Sequence, residues 1–353
     1  MKNTWLKSVF PKFSMKLLGV LFFVAIFAPP SYSQVTGQVT NVGTTAAQFL
    51  KIDPSPRGAA MGGAFVSIAN DVSALYWNVA GIAQLQNNEV LLSHTNWFAG
   101  IGYDYGAAAL VLGDIGTIGL SITSLSMGDM EVRTVTFPEG TGEKFSAGDL
   151  AFAASYARNL TDMFSIGFTA KYVNEYIWHM SASAVALDIG TLYRTGFHGL
   201  ALGMSISNFG TPMKFAGDNA IVYYNINPGY NGSNQNIIAD LRTDSWNLPL
   251  TFRFGVSFQP LATDMNRLII SVDALHPNDN TESLNLGGEY IFYDVVSLRA
   301  GYRSLFQKDS EGGLTLGAGV AYNLGQTRLK ADFGWANYGR LLSVTRFALG
   351  IQF

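Results

Sequence analysis

The chain has 353 residues, with 22 Lys and Arg against 25 Asp and Glu, and a formal charge of −3. Only 13% of residues are charged, about half the share of an ordinary soluble domain, while 48% are hydrophobic and 13% aromatic. This composition excludes a disordered chain and a basic nucleic-acid-binding protein. The absence of cysteine excludes disulfides, thiolate metal sites, iron–sulfur clusters and cysteine catalysis.

In chain order the first element is a leader. Lys2, Lys7, Lys12 and Lys16 are interspersed before an apolar run from Leu17 to Ala28, which has the length of a secretory h-region and is too short to span a bilayer. Ser31 and Ser33 stand at the −3 and −1 positions of a cut that leaves Gln34 as the mature start. Residues 1–33 are therefore expected to be a signal peptide.

Residues 34–88 show no period-two alternation. They read as a polar tail, a short helix around Thr45–Ile52, a Gly-rich stretch, and a second short helix or turn around Ser73–Leu85, with Asp71 or Ser73 as its cap. The segment is too long for a linker and too short for a core of its own.

From residue 89 onward the chain alternates with period two. Leu248, Leu250, Phe252, Phe254, Val256 and Phe258 oppose Thr251, Arg253, Gly255, Ser257 and Gln259, and Leu329, Ala331, Phe333 and Trp335 oppose Arg328, Lys330, Asp332 and Gly334. A soluble sandwich would put Lys and Glu on its outward face. Here the polar face is mostly Gly, Ala, Ser and Thr, which suits a lumen lining with the apolar face towards lipid.

Fourteen such segments are expected, near residues 89–97, 102–112, 116–126, 148–158, 163–177, 182–194, 200–209, 247–259, 267–275, 283–292, 295–303, 312–323, 327–337 and 342–353. Short, polar or Gly-bearing joins fall at every second junction, and the long insertions 127–147 and 210–246 fall at the others. This is the arrangement of an antiparallel outer-membrane β-barrel. The fold class is thus all-β, a transmembrane barrel of about fourteen strands spanning 89–353, with residues 34–88 lodged in its mouth. Trp97, Trp178 and Trp335, near strand ends, are candidates for the interfacial girdles.

The last strand alternates Phe347, Leu349, Ile351 and the terminal Phe353 with Arg346, Ala348, Gly350 and Gln352. It resembles the signal that the barrel-assembly machinery reads in outer-membrane proteins. The resemblance implies that machinery as a partner, along with outer-membrane lipid.

A second resemblance lies before the barrel. Phe49-Leu50-Lys51-Ile52, the run Arg57-Gly58-Ala59-Ala60-Met61-Gly62-Gly63-Ala64-Phe65, then Asn70-Asp71, Ala74-Leu75-Tyr76-Trp77-Asn78 and Ala80-Gly81 resemble the N-terminal signature of the PorV/PorQ family, a branch of the FadL-like fourteen-stranded barrels. The family's Asn-Pro-Ala-Gly reads Asn78-Val79-Ala80-Gly81 here. The resemblance implies an N-terminal hatch, with Arg57, Met61, Gly62, Gly63, Asn70, Asp71, Asn78 and Gly81 as its motif residues. It also implies a role in type IX secretion, in which the barrel receives exported proteins that carry a C-terminal signal domain. FadL-like relatives instead pass hydrophobic small molecules, and the motif alone does not separate the two. On this chain the lumen face looks small and mixed-charge, and Phe49, Leu50, Phe65, Leu75, Tyr76 and Trp77 of the hatch are the residues that could build an apolar channel pocket. In the motif itself, the glycines allow close backbone approach, Arg57 is placed to bridge to a lumen carboxylate, and Asn78 to satisfy backbone groups in a tight turn.

No enzyme is expected. His94, His179, His198 and His276 lack metal-ligand spacing, no nucleophile-elbow or nucleotide-binding motif occurs, and no cofactor is implied. Parity puts Lys171, Glu175, Asp188, Arg253, Asp273, Glu289, Arg299, Arg303, Arg328, Lys330, Asp332 and Arg346 on the lumen face, where both signs permit a paired network. The insertion 210–246 combines apolar residues with Tyr223, Tyr224, Tyr230 and Trp246. These four are the candidate anchors of a partner-docking loop, with Phe137 as a candidate on the other insertion; the same residues equally suit a lid folded back over the pore.

Overall fold

The structure, a computed structural model, describes residues 41–230, 232, 234–307 and 310–353. The leader 1–33 and the start of the polar tail lie outside the described residues.

The alternating segments form fourteen strands of one closed sheet among the described residues. They are β1 (Glu89–Asn96), β2 (Gly102–Val111), β3 (Thr117–Ser126), β4 (Ala147–Asn159), β5 (Phe164–Ile177), β6 (Met180–Arg194) and β7 (Ala201–Gly210), then β8 (Thr251–Ala262), β9 (Asn266–Pro277), β10 (Ser283–Phe292), β11 (Val296–Leu305), β12 (Leu314–Leu324), β13 (Thr327–Asn337) and β14 (Ser343–Gln352). Each pairs antiparallel with the next, and β14 pairs with β1, Glu89 opposite Gln352 and Asn96 opposite Thr345. Beyond that register Asn88 and Phe353 exchange backbone hydrogen bonds of 3.1 and 3.0 Å. The closed ring leaves no free edge, which a spanning sheet requires because lipid offers no hydrogen-bond partner.

The joins 112–116, 160–163, 195–200, 263–265, 293–295 and 325–326 share one end of the barrel with Glu89 and Gln352. The long insertions 127–146 and 211–250 share the other, with shorter joins such as 178–179. Leu92, Leu120, Phe168, Val185, Leu298, Val320, Phe347, Leu349, Ile351 and Phe353 are exposed on the outside, the face that lipid covers. Asp188, Arg253, Asp273, Glu289, Arg299 and Arg346 are buried on the inside. His94 and Asp104 depart from this pattern: they face outward and pair across β1 and β2 at 2.7 Å.

The eighth strand begins later than the alternation suggests. Residues 247–250 are diverted, because Asn247 pairs with Thr45 and its carbonyl accepts from the Ala46 N–H, and Pro249 has no N–H for a ladder. Leu248 is consequently buried with the interior residues rather than facing lipid. Trp97 also differs from the girdle expectation. It packs inward, edge-on to Tyr338 and against the Arg346 guanidinium.

The core fills the lumen. Inside the ring lie a 3-10 turn (Gln48–Lys51), α1 (Pro56–Ala60), α2 (Ala74–Trp77) and a second 3-10 turn (Val79–Gln84). α1 occupies what the sequence presents as a Gly-rich stretch. Ser55 caps it by accepting from the Gly58 N–H at 3.1 Å, and Pro56 sits at its first position, both favourable helix starts. The two expected helices are each shorter. The first is a single 3-10 turn, and the second breaks at Asn78, whose backbone is extended.

Candidate functional site

Among the described residues, 45–85 form the hatch, which packs onto glycines of the inner wall. A methyl group on Gly167 would stand 2.8 Å from the Val79 backbone. On Gly203, Gly287 or Gly301 it would come closer still, to the backbone of Val66, Met61 and Gly62 respectively. No side chain fits between wall and hatch at these points. Gly62 itself has φ +67°, and any side chain there would meet the β10 and β11 backbone at 2.8 Å. Met61, Ala64, Phe65, Val66, Ala69, Val72 and Ile82 are completely or almost completely buried, so the seal is as close-packed as an ordinary protein core.

Polar groups of the wall satisfy the hatch backbone. One Asp273 carboxylate oxygen accepts from the Phe65 and Val66 N–H groups, each at 2.8 Å. The Thr315 hydroxyl donates to the Ala60 carbonyl at 2.8 Å, and the Tyr103 hydroxyl to that of Ile52 at 3.0 Å. Asn78 donates to the carbonyls of Val66 (2.8 Å) and Thr191 (3.0 Å) and accepts from the Ala80 N–H. Val79 stands at the first position of the 3-10 turn, where a proline would be at home; the Asn78 side chain holds that turn. Gly81 is required because any Cβ would collide with the Ala69 carbonyl.

Arg57 is the hub of the turn side. It bonds Glu289 of β10 through Nε (2.9 Å) and Nη2 (2.6 Å), and Asn70 and Asp71 through Nη1 (2.8 and 2.7 Å). Arg299 continues the chain to Glu289 at 2.7 Å and to Asp332 at 2.5 Å, and Lys330 binds Glu89 at 2.9 Å. Asp71 also accepts from the Ser73 N–H at 2.9 Å, so it is Asp71 that prepares the start of α2. The hatch thus brings Arg57, Asn70 and Asp71 into one cluster, with Asn78 and Gly81 in a second and Met61, Gly62 and Gly63 against β10 and β11. At the loop edge Lys51, Gln48 and Thr45 all bond Asp279, at 2.9, 2.7 and 2.8 Å. Burial opposes its charge, yet these hydrogen bonds hold the Asp279 carboxyl below its ordinary range.

Cavities flank the hatch. On the loop side a vestibule of about 830 Å³ is lined by residues including Phe49, Trp77, Trp97, Phe215, Trp246 and Tyr338. On the turn side a cavity of about 280 Å³ is lined by the Arg57 network. Leu50, Leu75 and Tyr76 border only a cleft of about 20 Å³, so of the hatch's apolar residues Phe49 and Trp77 face the open vestibule while these three fill space.

The candidate docking residues sit in the insertion 211–250. Tyr223 and Tyr224 lie on a strand (Ile221–Tyr224) paired with Ile237–Asp240, and with Tyr230 they are exposed, Tyr223 at 73%. Trp246 is separate from them: it is backbone-paired with Met213 and borders the vestibule. Phe137 is exposed in the other insertion. Sequence reasoning missed Asp53, whose carboxylate pairs with Arg303, and the capping role of Asp273; the Gly- and Ala-rich lumen face was read, but not which of its glycines touch the hatch backbone.

A family model, Type IX secretion system protein PorV, matches residues 35–276. Among solved structures, a FadL homologue of Pseudomonas aeruginosa is 13% identical with a TM-score of 0.51, covering 85% of this chain and 98% of that one. The toluene transporter TodX of Pseudomonas putida is 12% identical with a TM-score of 0.52, covering 85% and 98%. The monoaromatic hydrocarbon channel CymD is 12% identical with a TM-score of 0.53, covering 85% and 96%. At these identities the likeness is one of fold. No curated protein matches the sequence.

Proposed function

The chain belongs to the family of the type IX secretion system protein PorV, and from that premise we propose that this outer-membrane barrel is a docking and shuttle component for proteins exported by type IX secretion. The observation that carries the reading is the packed hatch. Its backbone rests directly on wall glycines and its polar groups are bonded to the wall, which suits a platform better than a conduit. Tyr223, Tyr224 and Tyr230, exposed at the loop end, supply rigid amphipathic anchors of the kind that dominate protein interfaces. Exported proteins with C-terminal signal domains and other secretion components are the partners this reading implies.

The test replaces residues 213–240 with a short Gly/Ser linker, leaving every barrel strand and Phe353 intact. Heat-modifiable migration should be retained and capture of an exported protein lost. Unchanged capture, or increased uptake of a hydrophobic probe, would refute docking and favour a lid over a solute channel.

A further inference from the structure

Two clefts on the outer wall are each headed, at the loop end, by a histidine–carboxylate pair. We infer that they bind a membrane lipid whose head carries a primary ammonium beside a phosphate, a phosphoethanolamine lipid. No described residue of the insertions 127–146 and 211–250 lines either cleft, so the inference stands apart from the docking reading.

The larger cleft, about 890 Å³, straddles the seam of β1 and β14. Its outward lining sets the small residues Gly106, Ala318 and Ala331 among Leu92, Phe347 and Leu349, which leaves an apolar groove for an acyl chain. At its loop end His94 Nδ1 stands 2.7 Å from Asp104 Oδ1, and Nε2 stands 3.2 Å from Asn96 Oδ1. The second oxygen of Asp104 has no bonding partner among the described residues. Ser124 stands opposite Asp104 and lines the same cleft. The depth is that of a lipid head. One outward step nearer the loops, Asn96 pairs with Thr345 and Thr345 with Trp335, and an outward tryptophan marks the boundary between head groups and chains.

The smaller cleft, about 280 Å³, repeats the plan. Ala274 lies among Phe252, Leu284 and Phe306, and His276 Nδ1 pairs with Glu282 Oε1 at 3.0 Å at its head. Ionisable side chains facing lipid are costly and mark a function, and in each cleft the cost falls on a carboxylate beside an imidazole. A primary ammonium answers the carboxylate with N–H donors. The phosphate of the same head meets the imidazole edge and, in the larger cleft, the Ser124 hydroxyl, while the acyl chains follow the small residues down the wall. A choline head has the charge but no donor. An anionic glycerol head brings its phosphate to a carboxylate with no cation to offer it.

The test uses the full-length barrel in detergent and counts bound lipid by native mass spectrometry, with EDTA present. Phosphatidylethanolamine, its N,N-dimethyl form, phosphatidylcholine and phosphatidylglycerol of identical acyl chains are titrated in turn. At the tightest positions phosphatidylethanolamine is expected to bind about tenfold tighter than phosphatidylcholine, with the dimethyl form between them. D104N should abolish that preference at one position and E282Q at the other, with phosphatidylcholine binding unchanged in both. H94L/D104L, which puts lipid-compatible side chains on the wall, carries the test if D104N does not assemble. Equal retention of the four lipids, a preference for phosphatidylglycerol, or an ethanolamine preference that survives D104N/E282Q overturns the inference. A preference lost in D104N and untouched by E282Q overturns the smaller cleft and upholds the larger.

Discussion

The two sides of the hatch are built to opposite rules. On the turn side every carboxylate of the Arg57 cluster is paired: Glu289 is held between Arg57 and Arg299, Asp332 by Arg299, and Glu89 by Lys330. That cavity is about 280 Å³, against about 830 Å³ on the loop side, where aromatic side chains line much of the space. The hatch is bolted tightly from beneath, and above it is held at its edge by Asp279 and Arg303 around a wider space.

Deleting residues 49–81 should break this contrast altogether, by removing the partition between the cavities. Single-channel conductance in planar bilayers should rise from near zero to a steady open pore, and a large pore in the intact protein would contradict the packed seal. Arg57→Met is the next largest effect. It strips Asp71 of its cation and Glu289 of one of two, and breaking such a buried pair costs about 3–5 kcal/mol. Urea titration in detergent, read by gel migration and by protease access to the hatch, measures it. A barrel as stable as the parent would show the bolt to be ornamental.

Asp273→Ala leaves the Phe65 and Val66 N–H groups without an acceptor, at about 1–3 kcal/mol for buried donors. Hydrogen exchange at those two amides should accelerate ahead of their neighbours. The smallest effect belongs to the loop edge. The folded Asp279 carboxyl titrates below its ordinary range, so its contribution is complete above a pH of about 4 and is lost as pH falls through the lower folded value. Protease nicking near Lys51 should therefore rise only under acid, and Lys51→Met should bring that sensitivity to milder pH. A hatch edge equally resistant at every pH would remove Asp279 as its anchor.

The wall was legible in the sequence because its signal is local: two-residue alternation and the spacing of turns place β1 to β14 within a few residues. The exception at Leu248 is instructive. Residues 247–250 alternate as well as any strand, but Asn247 is taken by Thr45, a partner some two hundred positions away that no pattern announces. The hatch was legible through its motif and not through its conformation. α1 was hidden by glycines that weaken a helix in isolation and are tolerated here because Trp77 lies against Gly58. The pairing of the lumen charges was invisible for the same reason. Parity places Arg253 and Glu175 on the inner face but cannot say which of the inward charges find partners across the ring.

The seam between β1 and β14 has a temporal meaning. Glu89 and Gln352 meet across a sequence separation of 263 residues, so the ring closes only through the longest loop in the barrel, and such non-local pairing is intrinsically slow. The hatch precedes β1 in the chain, and its backbone lies where the wall has no side chains to spare. Threading it through a finished ring would mean forcing Phe65 and Trp77 past walls already in contact. The order of events that avoids this is a nascent sheet curling around the hatch, with the stretch ending in Phe353 as the final stitch. Any alteration that slows this last pairing should therefore lengthen the life of an open, hatch-bearing sheet rather than yield an empty barrel.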